Sequence, residues 1–369
     1  MQLTAIRDSL LEIPFHTTFK HASAERAMTQ SLWVEVQTRA GHAGYGEGCP
    51  REYVTGESVA SARQFVQQYR ADWLGIGDLA ALRNWVMTHT SAIDANPAAW
   101  TAVELALLDA LGKEAGCTVE ALLGLPALAG RFAYTAVLGD ASPQAFQAQL
   151  ERYLKTGFAT FKIKLSGELG RDLAKVAALK EAGIAASAVR ADANNLWADA
   201  TAAVSHVQAL AYPFMALEEP LKAGDHAGLT EIADSLDCRI ILDESLLRTD
   251  QLKIYAQTPQ HWIANLRVSK MGGVLRSLAL AKAARAAGLG LIVGAHVGET
   301  SVLTRAALLV AHHARDVLIA QEGAFGTHLL SRDVVEEPLM FGRSGLLDVD
   351  GRSFASMPGW GLTLAKLGE

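Results

Sequence analysis

The chain has 369 residues, half of them hydrophobic and 20% charged, with a formal net charge of −6. This composition is that of an ordinary globular protein. No block of Lys and Arg provides the concentrated basic surface that phosphate neutralisation needs, so we expect no nucleic-acid partner.

The three cysteines are odd in number and lie in no metal-ligand spacing, being Cys49, Cys117 and Cys238. A disulfide framework and a thiolate zinc site are therefore not expected, and a reducing cytoplasm fits. The N-terminus lacks a basic region followed by an apolar one, and no stretch approaches the roughly 18 apolar residues of a membrane helix. Neither export nor a membrane partner is predicted.

The first part of the chain shows strand patterns followed by helix patterns. Residues 3–13, 32–38 and 45–47 read as an antiparallel sheet, and a helical stretch follows from about residue 58 to residue 111. The helix predicted from Trp100 to Gly116 has the pattern of a buried helix. Strands before helices make an α+β unit, which we place at residues 1–125.

From about residue 131 the pattern alternates strand and helix, with clear helices at 171–182, 199–210, 228–236, 275–287 and 300–314. We count seven or eight strands, the eighth near residues 317–320. The predicted fold class is therefore α/β, a (β/α)7-8 TIM-type barrel over residues 126–322 with an N-terminal α+β capping domain. Residues 323–369 are expected to pack back on the capping domain.

Charged residues recur where the predicted strands end. Lys164 precedes Asp192 by 28 residues, and steps of 26, 25 and 27 lead to Glu218, Asp243 and Lys270. Each step is the length of one strand, one helix and two loops. Because active sites of such barrels lie at the carboxyl ends of the strands, this spacing predicts both the fold and the site.

Three of these residues are carboxylates on successive strands, namely Asp192, Glu218 and Asp243. Their hard oxygen atoms suit Mg²⁺ with open positions for substrate, and Mn²⁺ less selectively. The set contains no His or Cys, which argues against zinc. The alternative is that they are solvated acids in loops.

The other residues in the series are lysines. Lys162 and Lys164 lie two apart on one strand, so both side chains can point into the barrel, while Lys270 comes from the far side. Two lysines on opposite sides of a bound metal can serve as an acid/base pair on the two faces of one carbon. A nearby cation and partial burial favour the neutral amine that this requires. The alternative is that all three are surface lysines.

Along the chain, the strand-end motifs are Lys-x-Lys, Asp-x-Asn, Glu-Glu-Pro, Asp-Glu-Ser and Lys-Met-Gly-Gly. In this order they resemble the motifs of the muconate lactonizing enzyme subgroup of the enolase superfamily. The resemblance covers essentially the whole chain. Residues 44–50 and 107–113 resemble that family's capping domain. Enolase-superfamily enzymes use a Lys or His base with Mg²⁺ to stabilise an enediolate.

The resemblance implies a role for each residue of the series. Asp192, Glu218 and Asp243 would bind the Mg²⁺ that holds a substrate carboxylate. Lys164 and Lys270 would exchange the α-proton, and Lys162 would help to polarise the carboxylate. The residues that would steady the metal ligands are Asn194 and Glu244. A homo-oligomer is also implied.

Substrate specificity in this family depends on two capping-domain loops and the last strand ends. The first loop offers His16, Lys20, His21 and Arg26, and the second offers Arg51, Glu52 and Tyr53. Arg26 and Arg51 could bind a second anionic group, or they could be solvated. After the seventh strand, His296 and Glu299 are expected to face the pocket, although His296 could be an ordinary loop histidine.

One departure concerns the eighth strand end. Dipeptide epimerases of this subgroup carry Asp-x-Asp there to bind the ammonium group of the dipeptide, whereas residues 320–324 of this chain contain a single acid, Glu322. A standard dipeptide epimerase is therefore disfavoured, although Glu322 alone could pair with a cationic nitrogen.

The leading interpretation is a Mg²⁺-dependent racemase or epimerase that removes the α-proton of a small carboxylate substrate, an amino-acid derivative or dipeptide, through an enediolate. Cycloisomerases and dehydratases, including lactonizing and succinylbenzoate-forming enzymes, share that step and stay open as alternatives. A barrel that binds metal and a small acid without turnover is the alternative from a different class.

Overall fold

A computed structural model of the protein describes residues 1–21 and 24–365, without the side chains of residues 18–21, 24 and 25. Within these residues, no helix has the length and apolar character needed to cross a membrane. The chain begins with an antiparallel sheet in the order β1-β2-β3, whose strands are β1 (Leu3–His21), β2 (Ala24–Thr38) and β3 (Ala43–Gly48).

The first two strands form a longer hairpin than the sequence predicts. The prediction that the first strand ends at Ile13 is wrong, because β1 continues to His21 and pairs Phe19 with Arg26. An irregularity in register between Pro14 and Phe19 absorbs the proline on this edge strand. The predicted first specificity loop is therefore mostly paired strand.

Helices cover one face of this sheet. They are α1 (Glu52–Thr55), α2 (Val59–Trp73), α3 (Leu79–Thr88), α4 (Thr90–Ala95), α5 (Pro97–Ala115) and α6 (Val119–Leu123). Helix α5 is buried over most of its length. It packs against β2 and β3.

Strand β3 and helix α5 approach each other unusually closely. Gly44, Gly46 and Gly48 lie two apart on one face of β3, and each faces an alanine of α5. A Cβ atom on Gly46 would lie 2.0 Å from the carbonyl oxygen of Ala102. Only glycine permits this backbone contact, which fixes the capping domain's helix on its sheet.

The second half of the chain forms a parallel sheet of eight strands in sequence order, within the described residues. They are β5 (Ala136–Leu138), β6 (Phe161–Lys164), β7 (Val189–Asp192), β8 (Ala216–Glu218), β9 (Arg239–Leu242), β10 (Trp262–Leu266), β11 (Gly290–Val293) and β12 (Leu318–Gln321). The backbone N–H of Thr135 donates to the carbonyl of Gln321 at 2.9 Å, joining the first and last strands. The predicted barrel fold is confirmed.

Helices connect the barrel strands: α7 (Pro143–Thr156), α8 (Leu169–Glu181), α9 (Ala200–Ala209), α10 (His226–Leu236), α11 (Leu252–Tyr255), α12 (Val268–Met271), α13 (Val274–Ala287) and α14 (Ser301–His313). A small buried cluster of Ala216, Ile241, Ile263 and Ile292 is separate from the main core. Because side chains alternate along a strand, Ala216 shares its face with Glu218. This apolar layer therefore supports the charged strand ends.

The C-terminal segment contacts both parts of the protein. Its strand β13 (Leu346–Asp348) pairs with β4 (Arg131–Ala133), which precedes the barrel. The backbone N–H of Trp360 donates to Asp109 at 2.9 Å, and its indole N–H donates to the carbonyl of Leu105 at 2.9 Å. The division of the chain at residues 125 and 322 stays a prediction.

Candidate active site

The residues of the predicted series lie at one end of the barrel. Lys162 and Lys164 are within β6, the second barrel strand, and Lys270 is on α12, directly after the sixth strand, β10. Asp192 and Glu218 end the third and fourth strands, and Asp243 follows the fifth. In a closed eight-stranded barrel, the second and sixth strands are on opposite sides. The carboxylates therefore form an arc between the two lysine positions.

Lys162 is buried among carboxylates. Its Nζ lies 2.8 Å from Glu218, 3.0 Å from Asp192 and 3.2 Å from Glu322. Burial alone would lower the pKa of Lys162, but these three carboxylates outweigh it and raise the pKa. Lys162 is thus held as an ammonium ion beside the carboxylates.

Lys164 points along the same face and is more accessible. Its Nζ donates to Oδ2 of Asp192 at 2.5 Å and to Oδ1 of Asn194 at 2.8 Å. Asn194 adopts a left-handed backbone conformation, with φ of 46°, and its N–H donates to Oδ1 of Asp192 at 3.1 Å. Burial would raise the pKa of Asp192, but Lys162 and Lys164 together lower it. Asn194 therefore orients both the lysine and the carboxylate.

Lys270 is held from the opposite side. Its Nζ donates to Oδ1 of Asp243 at 2.9 Å and to the backbone carbonyls of Asp243 and Asn265 at 2.8 and 2.7 Å. The guanidinium of Arg267 pairs with the other oxygen of Asp243. Sequence reasoning missed Arg267, although its place directly after strand β10 is the same signal that identified the other strand-end charges.

Glu219 ties two strand ends together. Its φ is 37°, and its Oε1 accepts hydrogen bonds from the backbone N–H groups of Asp243 and Ser245, both at 2.7 Å. Its Oε2 accepts from the hydroxyl of Ser245 at 2.9 Å. Alternation along β8 turns Glu218 into the barrel and Glu219 toward this loop. The second glutamate of the Glu-Glu pair therefore positions Asp243.

The acidic residues of the site fit a hard divalent cation. Burial, and then the carboxylate of Asp192, raises the pKa of Glu218 to about 8. Burial, and then Asp243, raises the pKa of Glu244 to about 7, and Oε2 of Glu244 is buried without a hydrogen-bond partner. Such mutual repulsion and an unpaired oxygen are what a bound cation relieves.

The carboxylates are nonetheless paired with cationic side chains in this conformation. Across the described residues, no three His, Cys, Asp or Glu side chains converge as a metal site does. Lysine ammonium groups or the Arg267 guanidinium contact Asp192, Glu218 and Asp243. The predicted arc of ligands is present, and metal binding would require their oxygens to turn away from these partners.

A cavity of about 670 Å³ is lined by Lys162 and Lys164 but not by Lys270. Of the predicted site residues, its walls include Tyr53, Lys162, Lys164, Asn194, Glu244, His296 and Glu322. Glu322 already has two cationic partners, since Arg190 lies 3.0 Å from it in addition to Lys162. Arg190 also donates to the hydroxyl of Thr135 at 2.7 Å. Sequence reasoning missed Arg190, which lies inside strand β7.

The two predicted anion-binding arginines do not line this cavity. Arg51 is completely buried and donates to the carbonyls of Pro50 at 2.7 Å, Val297 at 2.8 Å and Gln30 at 3.2 Å. The alternative that Arg51 is solvated is therefore wrong. Arg26 donates to the side chain of Gln30 at 3.4 Å. The side chains of Lys20 and His21 lie outside the described part of the protein.

His296 reaches the cavity, whereas Glu299 supports the loop behind it. Oε1 of Glu299 accepts a hydrogen bond from the backbone N–H of His296 at 2.7 Å. His296 is buried beside Arg267, and burial, followed by the charge of Arg267, holds its pKa well below the usual value. His296 is therefore a neutral side chain in the cavity wall.

The fold and the site together define a barrel enzyme with paired lysines around acidic strand ends, and comparison with known families agrees. Residues 3–124 match the family model for the mandelate racemase / muconate lactonizing enzyme N-terminal domain, and residues 145–366 match the enolase C-terminal domain-like model. The chain belongs to the mandelate racemase/muconate lactonizing enzyme family of the enolase superfamily.

Similar proteins include epimerases and racemases, and one similar structure is that of a muconate lactonizing enzyme. The hydrophobic dipeptide epimerase of Enterococcus faecalis is 28% identical over 88% of this chain and 92% of its own length. The N-succinyl-L-Arg/Lys racemase of Bacillus cereus is 26% identical over 84% of each chain. The structure of the L-Ala-D/L-Glu epimerase of Bacillus subtilis superposes with a TM-score of 0.86 at 25% identity, covering 99% of this chain and 100% of that one.

A structure of the Enterococcus faecalis dipeptide epimerase contains Mg and the dipeptide L-Leu-L-Tyr, and it matches this chain with a TM-score of 0.83 at 25% identity over 98% of this chain and 100% of that one. The predicted enzyme class, an isomerase of the racemase or epimerase type, and the predicted Mg²⁺ cofactor are confirmed. The roles of individual residues stay predictions.

Proposed function

We propose that this enzyme inverts the carbon next to the carboxylate of an amino-acid derivative, using Lys164 and Lys270 as the two proton carriers. The observation that carries this proposal is their placement on the second and sixth strand units, on either side of the acidic arc. The relatives are named for dipeptides and N-succinyl amino acids, which supports an amino-acid derivative as substrate.

The proposed ligands of Mg²⁺ are Asp192, Glu218 and Asp243. When bound, Mg²⁺ supplies a positive charge that polarises the substrate carboxylate and makes the neighbouring proton more acidic. Lys162 adds a second positive charge at the same place, because its surrounding carboxylates keep it protonated. The substrate carboxylate would therefore bind where negative charge develops during the reaction.

The two lysines divide the proton transfer between them. One removes the α-proton from one face of the substrate carbon, and the other delivers a proton to the opposite face. The contact of Asn194 with Lys164 at 2.8 Å holds that amine in place, and the carbonyl of Asn265 holds Lys270. Each lysine is therefore oriented by an uncharged group as well as by a carboxylate.

Mass spectrometry in D2O tests this function. The enzyme with Mg²⁺ is incubated with pooled dipeptides, N-acylamino acids and muconate-like acids. We expect one substrate to gain a single non-exchangeable deuterium with its carbon skeleton unchanged, and chelation of Mg²⁺ to stop this exchange. Loss of water would indicate a dehydratase and a new ring would indicate a cycloisomerase. Exchange that survives chelation would contradict the proposed mechanism.

A further inference from the structure

A cluster of charged side chains lies next to the end of strand β6, which carries Lys164. It consists of Asp140, Asp172 and Lys175, and none of these residues lines the cavity. At its centre, Lys175 on α8 is 3% exposed. The Nζ of Lys175 donates to the backbone carbonyl of Lys164 at 2.7 Å, to Asp140 at 2.8 Å and to Asp172 at 2.9 Å. An ammonium group has three N–H donors, so all of them are used.

The bond to Lys164 is made where the sheet pairing on one side of β6 ends. The pairing of β5 with β6 ends at Ile163, one residue before Lys164. On the other side, the N–H of Leu165 still donates to the carbonyl of Asp192 at 2.8 Å. In a trans peptide the C=O and N–H point in opposite directions, so the carbonyl of Lys164 faces the side that β5 has left. Lys175 therefore takes the place of a strand partner at Lys164.

Asp172 holds the loop that follows β6. This fully buried carboxylate accepts hydrogen bonds from the backbone N–H groups of Ser166 at 2.9 Å and Gly167 at 3.2 Å. Burial would raise the pKa of Asp172, but its hydrogen bonds from Ser166 and Lys175 outweigh burial and lower the pKa. Lys175 thus has an ionised partner, and the segment from Lys164 to Gly167 is bound to helix α8.

Lys270, the other proposed proton carrier, is held by different contacts. Its neighbour Ser269 is buried, and the hydroxyl of Ser269 accepts a hydrogen bond at 2.8 Å from the backbone N–H of Cys49, which follows β3. The hydrogen bonds of Lys175 go instead to the segments β5–α7 and β6–α8. A change at Lys175 should therefore displace Lys164 and leave Lys270 in place.

We propose that Lys175 is a positioning residue for proton transfer by Lys164, acting through the backbone carbonyl of Lys164 and held in place by Asp140 and Asp172. This inference rests on the proposed function, in which Lys164 serves one face of the substrate carbon. Proton transfer requires the amine to lie within hydrogen-bond reach of the α-proton, so a displacement of about 1 Å at the strand end is enough to slow it.

The test is the variant K175M, which removes the three N–H donors. A substrate found among pooled dipeptides and N-acylamino acids is incubated in D2O with Mg²⁺, and deuterium incorporation without inversion is followed separately for each stereoisomer. Inversion uses both lysines, whereas exchange without inversion reports each one alone. We expect the stereoisomer that loses exchange in K164M to exchange about tenfold to a hundredfold more slowly in K175M. The rate for the other stereoisomer should not fall.

The ratio of the two rates separates positioning from stability, because both rates come from one sample and the folded fraction cancels. The matched control is K113M, since Lys113 also donates to a backbone carbonyl, that of Ala43, and to a carboxylate, that of Asp109, both at 2.7 Å. K113M should keep the wild-type ratio. The same ratio in K175M would show that Lys175 only stabilises the fold and would overturn the proposal.

Two further measurements cover other outcomes. If K175M does not fold because Asp172 is left buried without its cation, the variant K175M/D172N, which removes both charges, decides by the same ratio. If the wild type exchanges neither stereoisomer of any compound, the proposed function fails, and amide hydrogen exchange of the peptide from Leu165 to Gly167 decides the positioning. This peptide should lose protection in K175M but not in K113M. Equal protection in both variants would refute the role of Lys175.

Discussion

Buried carboxylates of this protein are held in two ways, by backbone amides at Glu57 and Glu104 and by cationic side chains at Asp192 and Asp243. On the capping side, Glu57 accepts hydrogen bonds from the backbone N–H groups of Ala98 and Ala99 at 2.8 and 3.0 Å, and Glu104 accepts from the N–H of Leu275 at 3.0 Å. Burial raises the pKa of each glutamate to about 7. Neutral donors thus hold these acids in place without fixing their charge.

At the mouth of the barrel, the partners of Asp192 and Asp243 are cations. Asp192 contacts two lysines, and Asp243 contacts Lys270 and Arg267. These charges lower the pKa of both aspartates although both are buried. For these four acids, backbone amides hold Glu57 and Glu104 without fixing their charge, whereas cationic side chains keep Asp192 and Asp243 ionised at the site of the proposed chemistry.

The largest effect is expected from removing a cation at the barrel mouth. In K164M or K270M we expect kcat for inversion to fall by about 10³-fold or more, since one proton carrier is lost. Each variant should still exchange the α-proton of one stereoisomer in D2O, and the two variants should retain opposite stereoisomers. Deuterium incorporation followed separately for each stereoisomer measures this.

The control is K282M, which replaces an exposed lysine on α13 and should exchange both stereoisomers as the wild type does. Loss of the same stereoisomer in K164M and K270M would show that both lysines act on one face. That result would exclude the two-sided arrangement inferred from the second and sixth strand units.

A substitution that disturbs the packing of the capping domain should lower the stability of the protein rather than its activity. In G46A, the new methyl group would meet the carbonyl oxygen of Ala102 at 2.0 Å, so α5 must shift away from the sheet. We expect the free energy of unfolding to fall by about 2–3 kcal/mol, as measured by urea denaturation. G170A is the control, since a Cβ atom there meets nothing within 4 Å and alanine favours a helix. Equal stability of the two variants would disprove the close packing.

The barrel and its acidic arc could be predicted from the sequence because the intervals between charged residues indicate both. A strand, a helix and two loops consume a nearly constant length, so Asp192, Glu218 and Asp243 identify the strand ends by their intervals alone. The side chain's direction follows from alternation, which places Lys162 and Lys164 on one face. The sequence therefore predicted where these lysines and carboxylates lie, but not their cationic partners Arg190 and Arg267.

The surroundings of these residues could not be predicted in this way, because they depend on contacts between distant segments. Arg51 is buried because three backbone carbonyls surround it, one of them from Val297, far along the chain. Phe341 reaches the cavity only because the C-terminal segment folds back on α7. The spacing of residues along the sequence does not indicate either contact.

The smallest expected effect tests whether Glu57 differs in charge state from the aspartates at the barrel mouth. The pKa of Glu57 is raised from 4.5 to about 7 in the folded protein, so between these values the native state keeps a proton that the unfolded state has lost. Stability therefore falls as pH rises through this window. Between pH 5 and pH 8, we expect wild type to lose about 2 kcal/mol more unfolding free energy than E57Q, whose side chain does not titrate.

Urea denaturation at the two pH values measures this difference, and E231Q, which changes an exposed glutamate on α10, is the control that should follow the wild type. If E57Q and wild type lost stability in parallel, Glu57 would be ionised throughout this range in the folded protein. The capping-domain acid would then resemble the aspartates at the barrel mouth, and the identity of the hydrogen-bond donor would not set the charge of a buried carboxylate in this fold.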